Sequence, residues 1–132
     1  MPELAGFSHV ALSVRDLDTS SAWYSDVLGF NVFEKIEHDE FREHVMLHPA
    51  GAILCLQNHH ANAGETFAPQ RTGMDHFALR VADRAELDAW EALFVEKGVK
   101  HTSVVEKDYG AVLCFRDPDD IQLEMFHREN HP

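Results

Sequence analysis

Apolar and polar residues alternate along short stretches that recur in the two halves of the chain. Residues 7–14 read FSHVALSV and residues 74–81 read MDHFALRV. Successive side chains of a strand point to opposite faces. Val10, Leu12 and Val14 therefore share one face, and Phe7, His9, Ala11 and Ser13 the other. In the second stretch Phe77, Leu79 and Val81 oppose His76, Ala78 and Arg80. An offset of 67 residues superposes His9 on His76, Ala11 on Ala78, Leu12 on Leu79 and Val14 on Val81. It continues through Asp16 and Asp83, Ala22 and Ala89, and Trp23 and Trp90. A register held over about fifteen residues, with a tryptophan in it, marks an internal repeat.

Each copy then predicts the same elements. A strand (about 7–14 and 74–82) leads into an amphipathic helix (about 17–28 and 84–97). Asp18 or Thr19 is the candidate N-cap of the first helix, and Asp83, with Glu86 three residues on, that of the second. The second copy gains two residues, so Gly29 corresponds to Gly98. Each suits the left-handed position after a helix. Three short strands complete each copy, near 31–37, 42–48 and 52–58, and near 100–106, 111–116 and 121–127. Pro49-Ala50-Gly51 and Asp117-Pro118-Asp119-Asp120 supply turns between them.

The pattern predicts an α+β fold of two tandem βαβββ modules forming a cup-shaped mixed sheet. Module 1 spans about 5–58, a linker rich in His, Asn, Ala and Gly about 59–73, and module 2 about 74–127. The branched apolar faces are expected on the helices, and the faces carrying His9 and His76 on a shared concavity. In the last strand Ile121, Leu123 and Met125 go to the core, while Gln122, Glu124 and Phe126 face the concavity.

Composition narrows the classes of partner. A net charge of -12 disfavours nucleic acid and anionic lipid surfaces, which need clustered Lys and Arg. No apolar run approaches the roughly 20 residues of a membrane span. The start, MPELAGFSHV, lacks the pattern of a signal peptide, so a cytoplasmic location is expected. Cys55 and Cys114 lie in the apolar runs ILCL and VLCF and are expected as buried thiols.

Two equivalent histidines and one carboxylate predicted on one concave surface suggest a mononuclear site for a divalent metal. His9, His76 and Glu124 are its candidate ligands, and imidazole with carboxylate suits Fe2+, Mn2+, Zn2+ or Ni2+. Open positions on such an ion admit a small substrate through its oxygens. Tyr109, in the turn before a strand, is a candidate proton donor. Arg80, on the predicted face of His76, is a candidate contact for an anionic substrate group. A plain turn tyrosine and a surface ion pair are the alternatives for these two. Arg116 is expected to anchor the Asp117-Pro118 turn, and His59 and His60 to lie solvated in the linker. Phe7, Phe41 and Phe126 are candidates for pocket lining or plain core.

The motifs SHVALSV, WYSDVLGF, DHFALRV and FRDPDDIQLEMF resemble the vicinal oxygen chelate superfamily over essentially the whole chain. That superfamily holds glyoxalase I, extradiol dioxygenases, fosfomycin-resistance transferases and bleomycin-binding proteins. The last motif departs from its usual form by Asp120 where Gly is common. The resemblance implies ligands at His9, His76 and Glu124, with a fourth position in ILCLQN near Leu56 or Gln57. Neither residue is the glutamate that glyoxalase I carries there. Gln57 is thus a candidate substrate contact or weak ligand. Two His and one Glu match the dioxygenases and the fosfomycin transferases, but EKDYGAVLCF stands where the latter carry a Ser-rich potassium loop. The resemblance also implies a homodimer, with or without exchange of modules. The competing expectation is a metal-free protein that sequesters a cationic drug of the bleomycin type.

Overall fold

The computed structural model describes residues 1–132. The chain forms two compact units, Met1–Glu65 and Thr66–Pro132. Unit 1 contains β1 (Val10–Ser13), α1 (Leu17–Leu28), β2 (Asn31–Glu37), β3 (Phe41–Leu47) and β4 (Ile53–His59). Unit 2 contains β5 (Phe77–Arg80), α2 (Arg84–Lys97), β6 (Val105–Lys107), β7 (Gly110–Arg116) and β8 (Gln122–His127). Each unit is therefore one βαβββ module, and the fold is α+β as the repeat predicts.

The two sheets share one topology. Strand order is β1-β4-β3-β2 in unit 1 and β5-β8-β7-β6 in unit 2. The first strand of each unit runs parallel to the last, and the remaining neighbours are antiparallel. A parallel pair needs a crossover, which here includes the helix and the two strands that follow it.

Both helices match their predicted ranges, but the first cap differs. Asp16, with φ -141, accepts the Thr19 backbone N–H at 2.7 Å. A cap needs an extended backbone two or three residues before the N–H it holds. Asp18 and Thr19 are already helical, and Asp18 instead places its charge on the positive end of the helix dipole. Asp83 caps α2 through the Glu86 N–H at 3.1 Å. Gly29 and Gly98 follow the helices in left-handed conformation.

Three strands differ from their expected extents. β1 begins at Val10 because its partner β4 begins at Ile53 and pairs Val10 with Leu54. Phe7 precedes any pairing and is 86% exposed, so it belongs neither to the core nor to a pocket. β5 is similarly limited by the start of β8, which pairs Leu123 with Phe77. β6 is short, although its approach still bonds to β7 through Thr102 N–H to Cys114 O and the bridge between His101 and Phe115.

The helix-side faces carry the cores. Leu12, Val14, Tyr24, Leu28, Met46, Leu54 and Leu56 are buried in unit 1, and Leu87, Phe94, Phe115, Ile121, Leu123 and Met125 in unit 2. The buried Asp117 organises the turn before β8 by accepting the Asp119 and Ile121 backbone N–H groups, each at 2.8 Å. Asp120 takes φ 63 in that turn and ion-pairs with Lys100 at 2.9 Å. Aspartate is among the few residues that tolerate this conformation. Arg116 clamps the turn as predicted, donating from Nη1 to Asp120 O at 2.9 Å and from Nη2 to Gln122 Oε1 at 2.8 Å.

One buried polar pair lies on the helix side of unit 1. His44 Nδ1 and Ser21 Oγ share a hydrogen bond of 2.5 Å, and His44 is only 3% exposed. Burial holds the His44 pKa down, assisted by the positive charge of Lys35. The unfolded chain takes up a proton near the ordinary value of about 6.5, whereas the folded chain resists it. This contribution to stability is complete above that pH and declines as pH falls through it. Urea midpoints at neutral pH and at mildly acidic pH should therefore differ more for the native chain than for His44→Gln. Equal differences would remove His44 from the acid sensitivity.

Candidate metal and substrate site

The sequence places a histidine directly before the first strand of each unit, and the Nδ1 of each ring is hydrogen-bonded to the side chain of the residue before it. In unit 2, His76 Nδ1 bonds Asp75 Oδ1 at 2.7 Å. In unit 1, His9 Nδ1 bonds Ser8 Oγ at 2.9 Å. Asp75 and Ser8 are themselves repeat equivalents. With Nδ1 engaged by the preceding residue, Nε2 is the ring atom left to act as a ligand. Asp75 is fixed in turn by Gln122, whose Nε2 donates to Asp75 Oδ1 at 2.9 Å.

β8 brings Glu124 to the same place. Glu124 is the register partner of Ala78, two residues after His76. Its Oε2 lies 3.4 Å from His76 Nε2. The Cys114 thiol, on β7 directly opposite, donates to Glu124 Oε1 at 3.5 Å. Burial and the adjacent Glu124 charge push that thiol pKa up, so Cys114 stays protonated. Imidazole Nε2 beside a carboxylate, with the other imidazole nitrogen hydrogen-bonded to a second carboxylate, fits a borderline divalent cation. His76 and Glu124 form a pair and not a complete set. No cluster of three or more His, Cys, Asp or Glu side chains able to hold an ion is gathered in the structure. His9 belongs to unit 1.

Strand register relocates the fourth position. Ala11 and Ala78 are repeat equivalents. Ala78 pairs with Glu124, and Ala11 pairs with Cys55. The counterpart of Glu124 is thus Cys55, and neither Leu56 nor Gln57. The two-residue gain seen at Gly98 persists to the end of the second module, so an offset taken from the first strands alone slips by two. Cys55 is 8% exposed, and burial pushes its thiol pKa up.

Gln57 lies two residues beyond Cys55 on the same face of β4 and directly opposite Glu43 on β3. Gln57 Nε2 donates to Glu43 Oε1 at 3.1 Å, and His38 Nε2 bonds Glu43 Oε2 at 2.9 Å. Burial works to raise the Glu43 pKa, but the hydrogen bonds from Gln57, His38 and Cys55 outweigh it. The group is held below the ordinary carboxylate value. Sequence reasoning did not single out Glu43. Its signal was period 2, which sets Glu43 opposite the helix-facing His44. His59 ends β4, half-buried against Phe41 with ring centroids 4.8 Å apart, and is not a free linker residue. His60 is exposed, as expected.

Unit 2 holds a pocket of about 530 Å³ lined by His76, Glu124, Cys114, Val112, Phe126 and Tyr109, among others. Tyr109 is 57% exposed, and its ring stacks on Phe126 at 6.2 Å. Arg80 shares the strand face of Ala78 but stands outside the pocket lining. No helix is long and apolar enough to cross a membrane.

Comparison with known proteins agrees with this architecture. The family model for the Glyoxalase/Bleomycin resistance protein/Dioxygenase superfamily matches residues 6–125. A glyoxylase/bleomycin resistance protein/dioxygenase domain from Frankia sp. EAN1pec is 32% identical, with a TM-score of 0.91 over 96% of this chain and 100% of that one. The fosfomycin resistance protein FosX of Listeria monocytogenes shares the fold at 20% identity and a TM-score of 0.71, over 97% of this chain and 94% of that one. The catechol-2,3-dioxygenase of Bacillus subtilis (strain 168) is 28% identical over 122 residues, which is 89% of this chain and 40% of the dioxygenase. The chain thus spans less than half the length of that curated relative. On the family match and the Frankia domain together, this chain belongs to the glyoxalase/bleomycin resistance protein/dioxygenase superfamily.

Proposed function

We propose that the protein is a metal-dependent enzyme acting on a small substrate that chelates a divalent ion through two oxygens. The observation that carries this reading is the matched holding of two repeat-equivalent histidines. His9 and His76 each have Nδ1 engaged by the residue before, at 2.9 and 2.7 Å. A metal-ligating histidine almost always has its other ring nitrogen hydrogen-bonded, so the repeated arrangement supports this reading. His9, His76 and Glu124 are the proposed ligands of one Fe2+, Mn2+, Zn2+ or Ni2+ ion. His9 comes from unit 1 of the same chain or of a second copy, in a homodimer with exchanged modules.

His9, His76 and Glu124 would hold the ion, which would supply Lewis-acid stabilisation of negative charge on the substrate oxygens. The protein residues do the rest. Asp75 holds the tautomer of His76, and Gln122 holds Asp75. Val112 and Phe126 give the pocket an apolar wall that restricts water. Tyr109 places a phenol in the pocket lining as proton donor, and Arg80 and Gln57 are proposed contacts for the substrate. Cys55 at the counterpart of Glu124 removes the carboxylate that would serve as a ligand and base. This favours a dioxygenase-like reaction over a glyoxalase-like or lyase-like one, in line with the curated catechol dioxygenase relative.

A second reading has one observation behind it. The net charge of -12 suits a metal-free protein that traps a cationic drug. One experiment separates the two. Protein purified without an affinity tag is reconstituted anaerobically with each ion, and oxygen uptake is recorded with catechols and product formation with thiohemiacetals. Stoichiometric metal with oxygen uptake on a catechol is the expected result. Absence of retained metal, together with tight binding of bleomycin, would establish the second reading instead.

A further inference from the structure

The pocket of unit 2 contains a cation that neither the metal pair nor the fold uses. Strand alternation puts it there. Glu106 of β6 points to the helix side, where it pairs with Arg84 at the start of α2. Its neighbours Val105 and Lys107 therefore take the opposite face. Register agrees, with Val105 opposite Val112 and Lys107 opposite Gly110. Val105, Lys107 and Val112 all line the pocket that holds His76 and Glu124. Gly110 has no side chain to crowd the Lys107 stem.

The charges of unit 2 single Lys107 out. Arg84, Lys100 and Arg116 each have a carboxylate partner. Lys107 has none, in a chain with 23 acidic residues against 11 basic ones. It is the one Lys or Arg in the pocket lining, and Glu124 is the one carboxylate. The two stand far apart. From Glu124 the register crosses to Cys114, runs four residues along β7 to Gly110, and crosses to Lys107. At about 3.4 Å per residue and about 4.8 Å between strands, their Cα atoms are roughly 16–17 Å apart. Lys107 also borders a second cleft, of about 350 Å³, on the outer side of the hairpin. There Glu106, Asp108 and Glu129 repel an anion. In the inner pocket only Glu124 opposes one, from the far end, and the proposed ion offsets its charge.

We infer that Lys107 is a specificity-determining residue that receives a carboxylate on an arm of the substrate, at the end remote from the two chelating oxygens. The inference rests on the functional reading above and narrows it to anionic substrates. A bare catechol chelated beside His76 and Glu124 stops short of Lys107, whereas a ring with a short acidic arm spans the pocket. Val112 and Phe126 line the stretch between the two ends, where the ring and the carbon arm are apolar. The strand pattern offered Arg80 for such a group, but Arg80 lies outside this lining.

3-(3,4-Dihydroxyphenyl)propionate and its primary amide provide the test. They share size, shape and the vicinal hydroxyl pair, and differ in the charge at the end of the arm. Binding to the metal-loaded full chain is measured anaerobically by calorimetry at low ionic strength, where an exposed ion pair is not screened. The native protein should prefer the acid by roughly two- to fivefold, the range of a partly exposed ion pair. Lys107→Met should bring the ratio near one by weakening the acid alone, and Lys107→Arg should keep the preference. A native ratio near one, or an unchanged ratio in Lys107→Met, overturns the inference and leaves the metal-dependent reading standing. A preference lost in Arg80→Met and kept in Lys107→Met likewise overturns it, by assigning the carboxylate to Arg80. Binding of neither compound to metal-loaded protein overturns the functional reading and this inference with it.

Discussion

On the proposed metal centre, His76→Ala should lower the affinity for a divalent ion by more than about a hundredfold, and Asp75→Asn by roughly tenfold. The two figures follow from where each group stands. His76 supplies the nitrogen 3.4 Å from the Glu124 carboxylate, and Asp75 only holds the far side of the ring at 2.7 Å. Groups behind a ligating histidine typically contribute tenfold to a hundredfold in affinity, so loss of the ligand itself must exceed that. Asparagine keeps an oxygen that still accepts from Nδ1, and it loses only the charge, which places it at the lower end. Ser8→Ala, behind His9, removes a neutral hydroxyl and should cost less than Asp75→Asn. Competition against a chromophoric chelator gives all three constants on one scale. The order His76→Ala, Asp75→Asn, Ser8→Ala is the discriminating result. Native affinity in His76→Ala would remove the proposed centre. An Asp75→Asn affinity equal to the native one would show that the ring needs no support.

The fold was largely legible because it is written twice. A helix preceded by Asp and followed by Gly appears in both halves, longer by two residues in the second, and both helices fall on their predicted ranges. Repetition also singled out His9 and His76 from ten histidines. What remained hidden depended on register. The cap of α1 lies two residues before Asp18 and three before Thr19, because an extended Asp16 and a helical Asp18 look alike in sequence. The start of β1 is set by where β4 begins, some 40 residues away in the chain, which no local pattern carries. The fourth position slipped from Cys55 to Gln57 for a related reason. An insertion near the helix end shifts all later equivalences, and only strand pairing tells where it is absorbed. Asp75 and Glu43 escaped notice because an acidic residue is ordinary in a chain with 23 of them. Their roles come from the partners that folding gives them.

Gly110→Ala destabilises unit 2 by about 2–4 kcal/mol, through a backbone clash that has no soft neighbour to absorb it. Gly110 opens β7 with φ +152, and a Cβ built there would stand 2.3 Å from the His127 carbonyl oxygen. It would also stand 3.1 Å from Phe126 Cζ. The first contact is with backbone, so relief requires the ends of β7 and β8 to part. That breaks the pairing of Ala111 with His127 and loosens the hairpin in which Lys107 faces Gly110. The φ angle adds its own strain for any side chain. Gly73, with φ +145 and nothing within 4 Å of the methyl that alanine would add, isolates that second part. Gly73→Ala should therefore cost only about 1 kcal/mol, and the difference between the two variants measures the clash. Thermal melts should place Gly110→Ala lower than Gly73→Ala by on the order of 5–10 °C. The substitution also reaches the pocket, since Phe126 lines it and carries the Tyr109 ring. Gly110→Ala should therefore weaken binding of the proposed substrate in that pocket more than it weakens metal affinity at His76 and Glu124. Melting within a degree of Gly73→Ala would show that the start of β7 is not held against His127, and would take the support of Tyr109 with it.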